Sequence, residues 1–139
     1  MVLERGKESL MPVPEHLQKA RTFLQDAQLC VDHGRNDSAA SRAYYAMFRA
    51  ALALLEQYGD VRRAWNHGRL ALALERNMVE ARGLLHDGDV AELKDAHALR
   101  IIADYDDREV SAQEAQTSLR AAYRFMMKIE RIISNATHL

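Results

Sequence analysis

The chain has 139 residues, with 19 basic and 20 acidic side chains, and its formal net charge is −1 at pH 7. Hydrophobic residues make up 48% and charged residues 28%, which is the composition of one globular domain rather than of a disordered chain. The near-zero charge excludes a strongly basic nucleic-acid binder. The one cysteine, Cys30, excludes an internal disulfide and a cysteine-rich zinc site, and it fits a cytoplasmic protein.

Residue usage predicts an all-α fold. There are 22 alanines and 17 leucines, but only 7 valines, 5 isoleucines and 3 threonines, and both prolines lie before residue 15. Strands favour β-branched residues, whereas alanine and leucine favour helices. We therefore expect an up-and-down bundle of four main helices plus one shorter helix.

The first two predicted helices end at glycines. The first covers residues 14–33, before Gly34, and the second runs to Tyr58, before Gly59. Either Asn36 or Asp37 would cap the start of the second helix. Its broad apolar face predicts the central position in the bundle.

Three further helices are predicted in the rest of the chain. The third covers about 66–81 and is the shorter element, and the fourth covers about 89–105 with Asp87 or Asp89 as its cap. The fifth opens with Ser111 and Glu114, spaced as a capping box, and continues along a bundle seam. The helices form a single domain over 14–134, between a flexible segment 1–13 and a tail 135–139.

Common enzyme and membrane signatures are absent from the sequence. No phosphate-binding glycine loop, nucleophile elbow or His-Glu-x-x-His motif occurs. The six histidines include no pair at helical i, i+3 or i+4 spacing, which predicts no metal site and no cofactor. The longest apolar run, Ala50–Leu55, is far too short to span a membrane.

Two stretches carry more polar and aromatic side chains than a purely structural bundle needs. In the second helix the run S-R-A-Y-Y-A-M-F contributes Arg42, Tyr44 and Tyr45. Buried tyrosine hydroxyls seek polar partners, so a polar site should lie nearby. At the end of the fourth helix the candidate residues are His97, Arg100, Asp104 and Tyr105. The simplest interpretation of Arg100 and Asp104 is a solvated i, i+4 ion pair.

These two motifs, with the V-S-x-x-E-A start of the last helix, resemble the small stand-alone HEPN proteins (higher eukaryotes and prokaryotes nucleotide-binding). The resemblance covers residues 15–133 and implies a helical bundle that forms a homodimer. It further implies a nucleotidyltransferase as the partner in a toxin–antitoxin pair. Many relatives are metal-independent ribonucleases, in which an arginine is followed after four to six residues by a histidine.

In this chain Arg100 matches that arginine, but Asp104 occupies the nearby polar position and no histidine follows within seven residues. Three hypotheses follow from this departure. The first is a binding module whose polar cleft takes nucleotide or RNA, with Arg42, Tyr44, Tyr45 and Tyr105 around Arg100. The second is a ribonuclease that uses Arg100 with Asp104 or His97, and the third is a purely structural dimeric bundle.

Two other features of the sequence have less specific interpretations. Arg62–His67 and Arg131–His138 also fit the arginine–histidine spacing, but chance alone predicts about two such matches. A basic stripe in the last helix is either a solvated face or a contact for RNA phosphates or an acidic partner. Its members are Arg120, Arg124, Lys128 and Arg131.

Overall fold

A computed structural model describes residues 12–137, except for the side chain of Thr137. These residues form an all-α bundle without strands, which confirms the predicted fold class. Four helices are long and one is short. Their bounds are α1 Val13–Asp32, α2 Asn36–Gln57, α3 His67–Ala73 with a π-helical continuation Leu74–Glu80, α4 Asp87–Tyr105 and α5 Ala112–Thr137.

Helix α2 is the centre of the bundle, as its wide apolar face predicts. It packs against α1, α4 and α5 and also contacts α3. Its fully buried residues include Ala43, Ala46 and Ala50, whose small side chains allow neighbouring helices to approach closely. Gly34 and Gly59 follow α1 and α2 with φ of 70° and 87°, which are backbone conformations that glycine adopts readily.

The starts of the helices show where local prediction succeeds and where it fails. The capping box of α5 is confirmed, because Ser111 N donates to Glu114 Oε1 (2.9 Å) and Glu114 N donates to Ser111 Oγ (3.1 Å). The predicted cap of α2 is wrong, because Arg35 occupies that position without a side-chain bond. Asp37 instead accepts a hydrogen bond from Val110 N (2.8 Å), which ties the start of α2 to the loop before α5.

Helix α4 begins two residues earlier than predicted, at Asp87. Neither Asp87 nor Asp89 is its cap, because His86 precedes the first helical residue. Asp89 lies in the first turn, and its carboxylate accepts from His86 N (2.8 Å). An acidic residue in the first turn also stabilises the positive end of the helix dipole.

The third helix is confirmed as the shorter element, but its second half is not α-helical. Asn66 caps its start by accepting from Arg69 N (2.8 Å). From Leu74 onward the chain widens into a π-helix, as the bond from Ala81 N to Arg76 O (3.0 Å) shows. One side of this segment is nevertheless buried in the core, through Leu70, Leu74 and Met78.

Three polar side chains, with a buried histidine at their centre, join α1 to the C-terminal half of α2. His16 Nε2 lies 2.8 Å from Glu56 Oε2, and Arg49 Nη1 lies 3.4 Å from His16 Nδ1. Arginine cannot accept a hydrogen bond, so Nδ1 is the acceptor and Nε2–H donates to Glu56. We call His16, Glu56 and Arg49 the His16 cluster. The His16 residue is only 3% exposed, so its imidazole is closed to solvent.

The first and last helices extend beyond the predicted limits of the helical domain, 14–134. Helix α1 begins at Val13, and the rest of the predicted flexible segment, apart from Pro12, lies outside the described residues. Helix α5 continues through Thr137, so residues 135–137 of the predicted tail are helical, and 138–139 lie outside the described range. Among the described helices, none has the length and apolar character needed to cross a membrane.

Candidate functional site

Arg100 is held between α4 and α2 near the end of α4. Its Nη2 donates to the Tyr45 hydroxyl (2.8 Å), and its guanidinium carbon lies 5.3 Å from the centre of the Tyr45 ring. Its Nε lies 2.9 Å from Asp104 Oδ2, but the angle does not suit a hydrogen bond, so this contact is Coulombic. The Arg100 side chain is 20% exposed, and Nη1 forms no hydrogen bond within residues 12–137.

Asp104 is also bound to α2. The Ser41 hydroxyl donates to Asp104 Oδ1 over 2.7 Å, while Oδ2 faces Arg100. The predicted i, i+4 ion pair is therefore present, but it belongs to an interhelical network rather than to an isolated solvated face. This network fixes the direction of the Arg100 guanidinium.

Two stacked histidines lie beside Arg100. His67 is the first residue of α3, and its ring is parallel to that of His97 on α4, with an angle of 5° and centroids 3.7 Å apart. Tyr44 Oη lies 3.1 Å from His67 Nδ1. Burial, together with smaller charge repulsion from His97 and Lys94, lowers the pKa of His67 to about 4.

Burial also shifts the pKa values of His97 and Tyr44. Burial lowers the pKa of His97, and the nearby Arg100 charge acts in the same direction. Burial raises the pKa of Tyr44, which is 2% exposed, to about 12. Near neutral pH both imidazoles are uncharged and the phenol is protonated. The structure therefore places proton acceptors next to a fixed positive charge.

We call these seven residues the Arg100 cluster: Ser41, Tyr44, Tyr45, His67, His97, Arg100 and Asp104. Five of them were candidates from the sequence. Of the other two candidates, Tyr105 lies at the rim, 74% exposed, with its ring centre 5.9 Å from the Arg100 guanidinium. Arg42 is half-buried and forms no hydrogen bond or ion pair with any residue in 12–137, so it does not join the cluster.

The expected cleft between α2 and α4 takes the form of a packed polar surface. The side chains of the Arg100 cluster contact one another directly, and Arg100 and Asp104 are partly exposed to solvent. A ligand would therefore lie against this surface rather than enter a deep pocket. In the described part of the chain, no three histidine, cysteine or acidic side chains are grouped so that they could bind a metal ion.

Sequence reasoning missed His67 and Ser41. His67 matches the arginine–histidine spacing with Arg62, but Arg62 is engaged elsewhere, in an ion pair with Asp60 (3.0 Å) and over the Trp65 ring (4.4 Å). The useful signal was the Asn66 cap, which fixes His67 in the first turn of α3. No local pattern reveals that this turn lies on Tyr44, 23 residues earlier.

The basic stripe of α5 is partly neutralised by α4. Arg124 pairs with Glu92, and Lys128 Nζ lies 2.6 Å from Asp89 Oδ2. Arg120 and Arg131 form no ion pair with another residue in the described range 12–137. The middle of the stripe thus stabilises the contact between α4 and α5.

Comparison with known proteins identifies the class of this helical bundle. Residues 13–132 match the model of the HEPN domain family. This match covers most of the chain, which therefore belongs to the HEPN domain family.

Individual relatives narrow the comparison. The chain is 34% identical over 119 residues to a UPF0332 protein of Archaeoglobus fulgidus, with 85% of this chain and 92% of that protein aligned. It is 29% identical over 124 residues to a UPF0332 protein of Gloeobacter violaceus, covering 79% and 86%. The crystal structure of TT1696 from Thermus thermophilus has the same fold, with a TM-score of 0.71 and 24% identity over 86% of this chain and 96% of that one.

Proposed function

We propose that this HEPN protein is a binding module that takes phosphate groups of RNA or of a nucleotide at the Arg100 cluster. The observation that carries the proposal is the fixed, partly exposed Arg100 guanidinium, whose Nη1 forms no hydrogen bond to a described residue. A planar guanidinium matches the geometry of a phosphate. The exposed Tyr105 ring at the rim offers a face on which a base can stack.

The binding role is favoured over ribonuclease chemistry by Asp104. In ribonuclease relatives a histidine is expected after the arginine, whereas here a carboxylate follows and accepts from Ser41. Both carboxylate oxygens of Asp104 are engaged inside the protein, Oδ1 by the Ser41 hydroxyl and Oδ2 by Arg100. Asp104 therefore serves to orient Arg100 rather than to transfer a proton.

The test is direct measurement of binding to a fluorescent single-stranded RNA by anisotropy at low salt. Replacing Arg100 by alanine should weaken binding about tenfold, because a charge-assisted phosphate contact contributes on the order of 1.4 kcal/mol or more. Arg35→Ala, an exposed arginine at the start of α2, is the control and should have little effect. Competition with AMP or ATP separates nucleotide binding from RNA binding.

The basic stripe supplies the outcome that contradicts this proposal. If Arg120→Ala weakens RNA binding and Arg100→Ala does not, the RNA contacts α5 instead of the Arg100 cluster. A lower salt dependence of binding in the affected variant would identify the lost phosphate contact in either case.

The HEPN resemblance extends the proposal to partners. We propose a cytoplasmic homodimer that acts with a nucleotidyltransferase in a toxin–antitoxin pair. Light scattering tests the dimer, which should have about twice the 15.8 kDa mass of the chain. Copurification with a nucleotidyltransferase encoded in the adjacent reading frame tests the pair, and growth inhibition that the partner relieves would support it.

A second candidate function is a metal-independent ribonuclease, favoured by the stacked histidines. His67 and His97 are neutral near pH 7 and lie beside Arg100, so one imidazole could accept the proton of an attacking 2′-hydroxyl while Arg100 stabilises the phosphorane. The bond from phosphorus to the 5′-oxygen would break, and a protonated group would return the proton to that oxygen.

Incubation with single-stranded RNA in the presence of EDTA separates the two functions. Cleavage that is lost in both His97→Gln and Arg100→Ala, and retained in the control Arg35→Ala, would establish the ribonuclease. RNA that is bound but remains intact over hours would establish the binding module.

A further inference from the structure

The structure contains a second site, between α4 and the first three turns of α5, that lies apart from the Arg100 cluster. A cavity of about 350 Å³ is lined there by one face of α4 and by α5. This volume is within the range of small-molecule sites, about 300–1,000 Å³. Its lining residues are Glu92, Asp95, Ala96, Leu99, Ser111, Gln113, Glu114, Thr117, Ser118 and Ala121.

The inner wall of this cavity is mostly apolar, with one unused polar group. Ala96, Leu99 and Ala121 provide aliphatic surface, and the small size of the two alanines leaves the space open between the helices. Ser118 is 6% exposed, and its hydroxyl has no hydrogen-bond partner within residues 12–137. Buried hydroxyls normally have a partner, so this one favours a bound polar group.

The mouth of the cavity is acidic, but its three carboxylates differ. Glu92 is paired with Arg124, and both Glu114 oxygens accept from Arg108 at 2.9 Å. Asp95 is exposed and forms no hydrogen bond or ion pair with another residue in the described range. One unpaired negative charge therefore lies beside an aliphatic wall, and this arrangement repels anions such as phosphates.

We propose that this cavity binds a small aliphatic ammonium ion, with its positive charge at Asp95 and its methylene groups against Ala96, Leu99 and Ala121. A diamine is the ligand class that fits best, because a second ammonium group can donate to the Ser118 hydroxyl or to Glu92. The cavity does not suit a bare metal ion, since no three potential ligand side chains in the described part of the chain are grouped for one.

The experiment is a titration of the full chain with 1,4-diaminobutane at constant ionic strength, followed by NMR chemical-shift changes of the backbone amides. Saturable shifts should map to α4 and to the start of α5. Asp95→Asn should weaken the affinity about fivefold, as expected for one partly exposed charge pair. Asp26→Asn on α1, which does not line the cavity, is the control and should leave the affinity unchanged.

A neutral analogue and an anionic analogue of the ligand complete the test. 1-Butanol should bind much more weakly than 1-aminobutane, and butanoate should not bind. Shifts that do not saturate, or that change equally in Asp95→Asn and Asp26→Asn, would show only general attraction to an acidic surface and would overturn the proposal. Thermal melting of each variant confirms that a loss of binding is not a loss of fold.

Discussion

The His16 cluster and the Arg100 cluster use different parts of the same helix, yet they differ in what they leave unused. In the His16 cluster both ring nitrogens of a 3% exposed histidine have partners inside the protein. In the Arg100 cluster the guanidinium is fixed by Tyr45 and Asp104 but remains partly exposed, and its Nη1 forms no hydrogen bond to a residue in 12–137. The Arg100 cluster, unlike the His16 cluster, therefore presents a charged group to solvent, as the proposed ligand binding requires.

The largest effect on stability should come from removing Glu56 from the His16 cluster. Glu56→Ala leaves His16 buried without its hydrogen-bond acceptor, and we expect the free energy of unfolding to fall by about 2–4 kcal/mol. Urea unfolding followed by circular dichroism measures this loss. RNA affinity of the folded variant should not change, because Glu56 is not part of the Arg100 cluster.

Glu130→Ala is the control for this comparison. Glu130 pairs with Arg21 over 2.8 Å, but both side chains are partly exposed, and such a pair contributes less than about 1 kcal/mol. A loss as large as that of Glu56→Ala would mean that burial is not what distinguishes the His16 cluster.

The stacked histidines predict the next effect, a loss of stability in acid. Because burial holds the pKa of His67 at about 4, well below the unfolded value of 6.5, the folded state resists protonation. The contribution is fully present above pH 6.5, and it is lost as the pH falls from 6.5 through about 4, while the unfolded chain binds protons first. Unfolding free energies measured between pH 7.5 and 4 should show this decline.

A histidine variant separates this effect from general acid unfolding. His97→Gln removes one of the two protonation sites and the repulsion between the rings, so the decline below pH 6.5 should become shallower. His33→Gln, at an exposed position after α1, should leave the slope unchanged. Equal slopes in all three proteins would show that the stacked pair does not govern acid stability.

Arg100→Ala should have a smaller effect on stability than on binding. Asp104 keeps its bond from Ser41 and can be hydrated, so we expect a loss of only about 1 kcal/mol in unfolding free energy. RNA affinity should fall about tenfold in the same variant. A stability loss as large as that of Glu56→Ala would show that Arg100 mainly stabilises the fold, as the His16 cluster does.

The smallest effect is expected for Tyr45→Phe. The change removes the hydroxyl that accepts from Arg100 Nη2 but keeps the ring, so stability should fall by about 0.5 kcal/mol. RNA affinity should fall about twofold, because Arg100 loses one of the contacts that orient it. Anisotropy titrations of Tyr45→Phe and Arg100→Ala compare the loss of RNA affinity when a residue that positions Arg100 is changed with the loss when Arg100 itself is removed.

Much of the fold follows from local sequence patterns, and the exceptions have tertiary causes. The Ser111–Glu114 box is local and was predicted correctly, since both partners lie within one turn. Asp37 is equally suited to cap α2, but its carboxylate accepts from Val110 N, 73 residues later. A long-range partner competed successfully for that carboxylate, and no local pattern records such a competitor.

The candidate site was predictable on the helices whose motifs are continuous. Tyr45, Arg100 and Asp104 lie on predicted helical faces and do meet in the structure. His67 could not be placed, because its position depends on how the loop after Gly59 returns α3 to the bundle. Arg42 has the correct spacing from Tyr45 but remains outside the cluster, which shows that a shared helical face does not guarantee a shared site.

The π-helical segment Leu74–Glu80 has a consequence for how relatives of this chain should be compared. A π-turn holds one more residue than an α-turn over nearly the same length. A relative that keeps an ordinary α-helix here should therefore lack one residue between positions 74 and 80. An alignment that does not open a gap at this point would shift every residue up to the next loop out of correspondence.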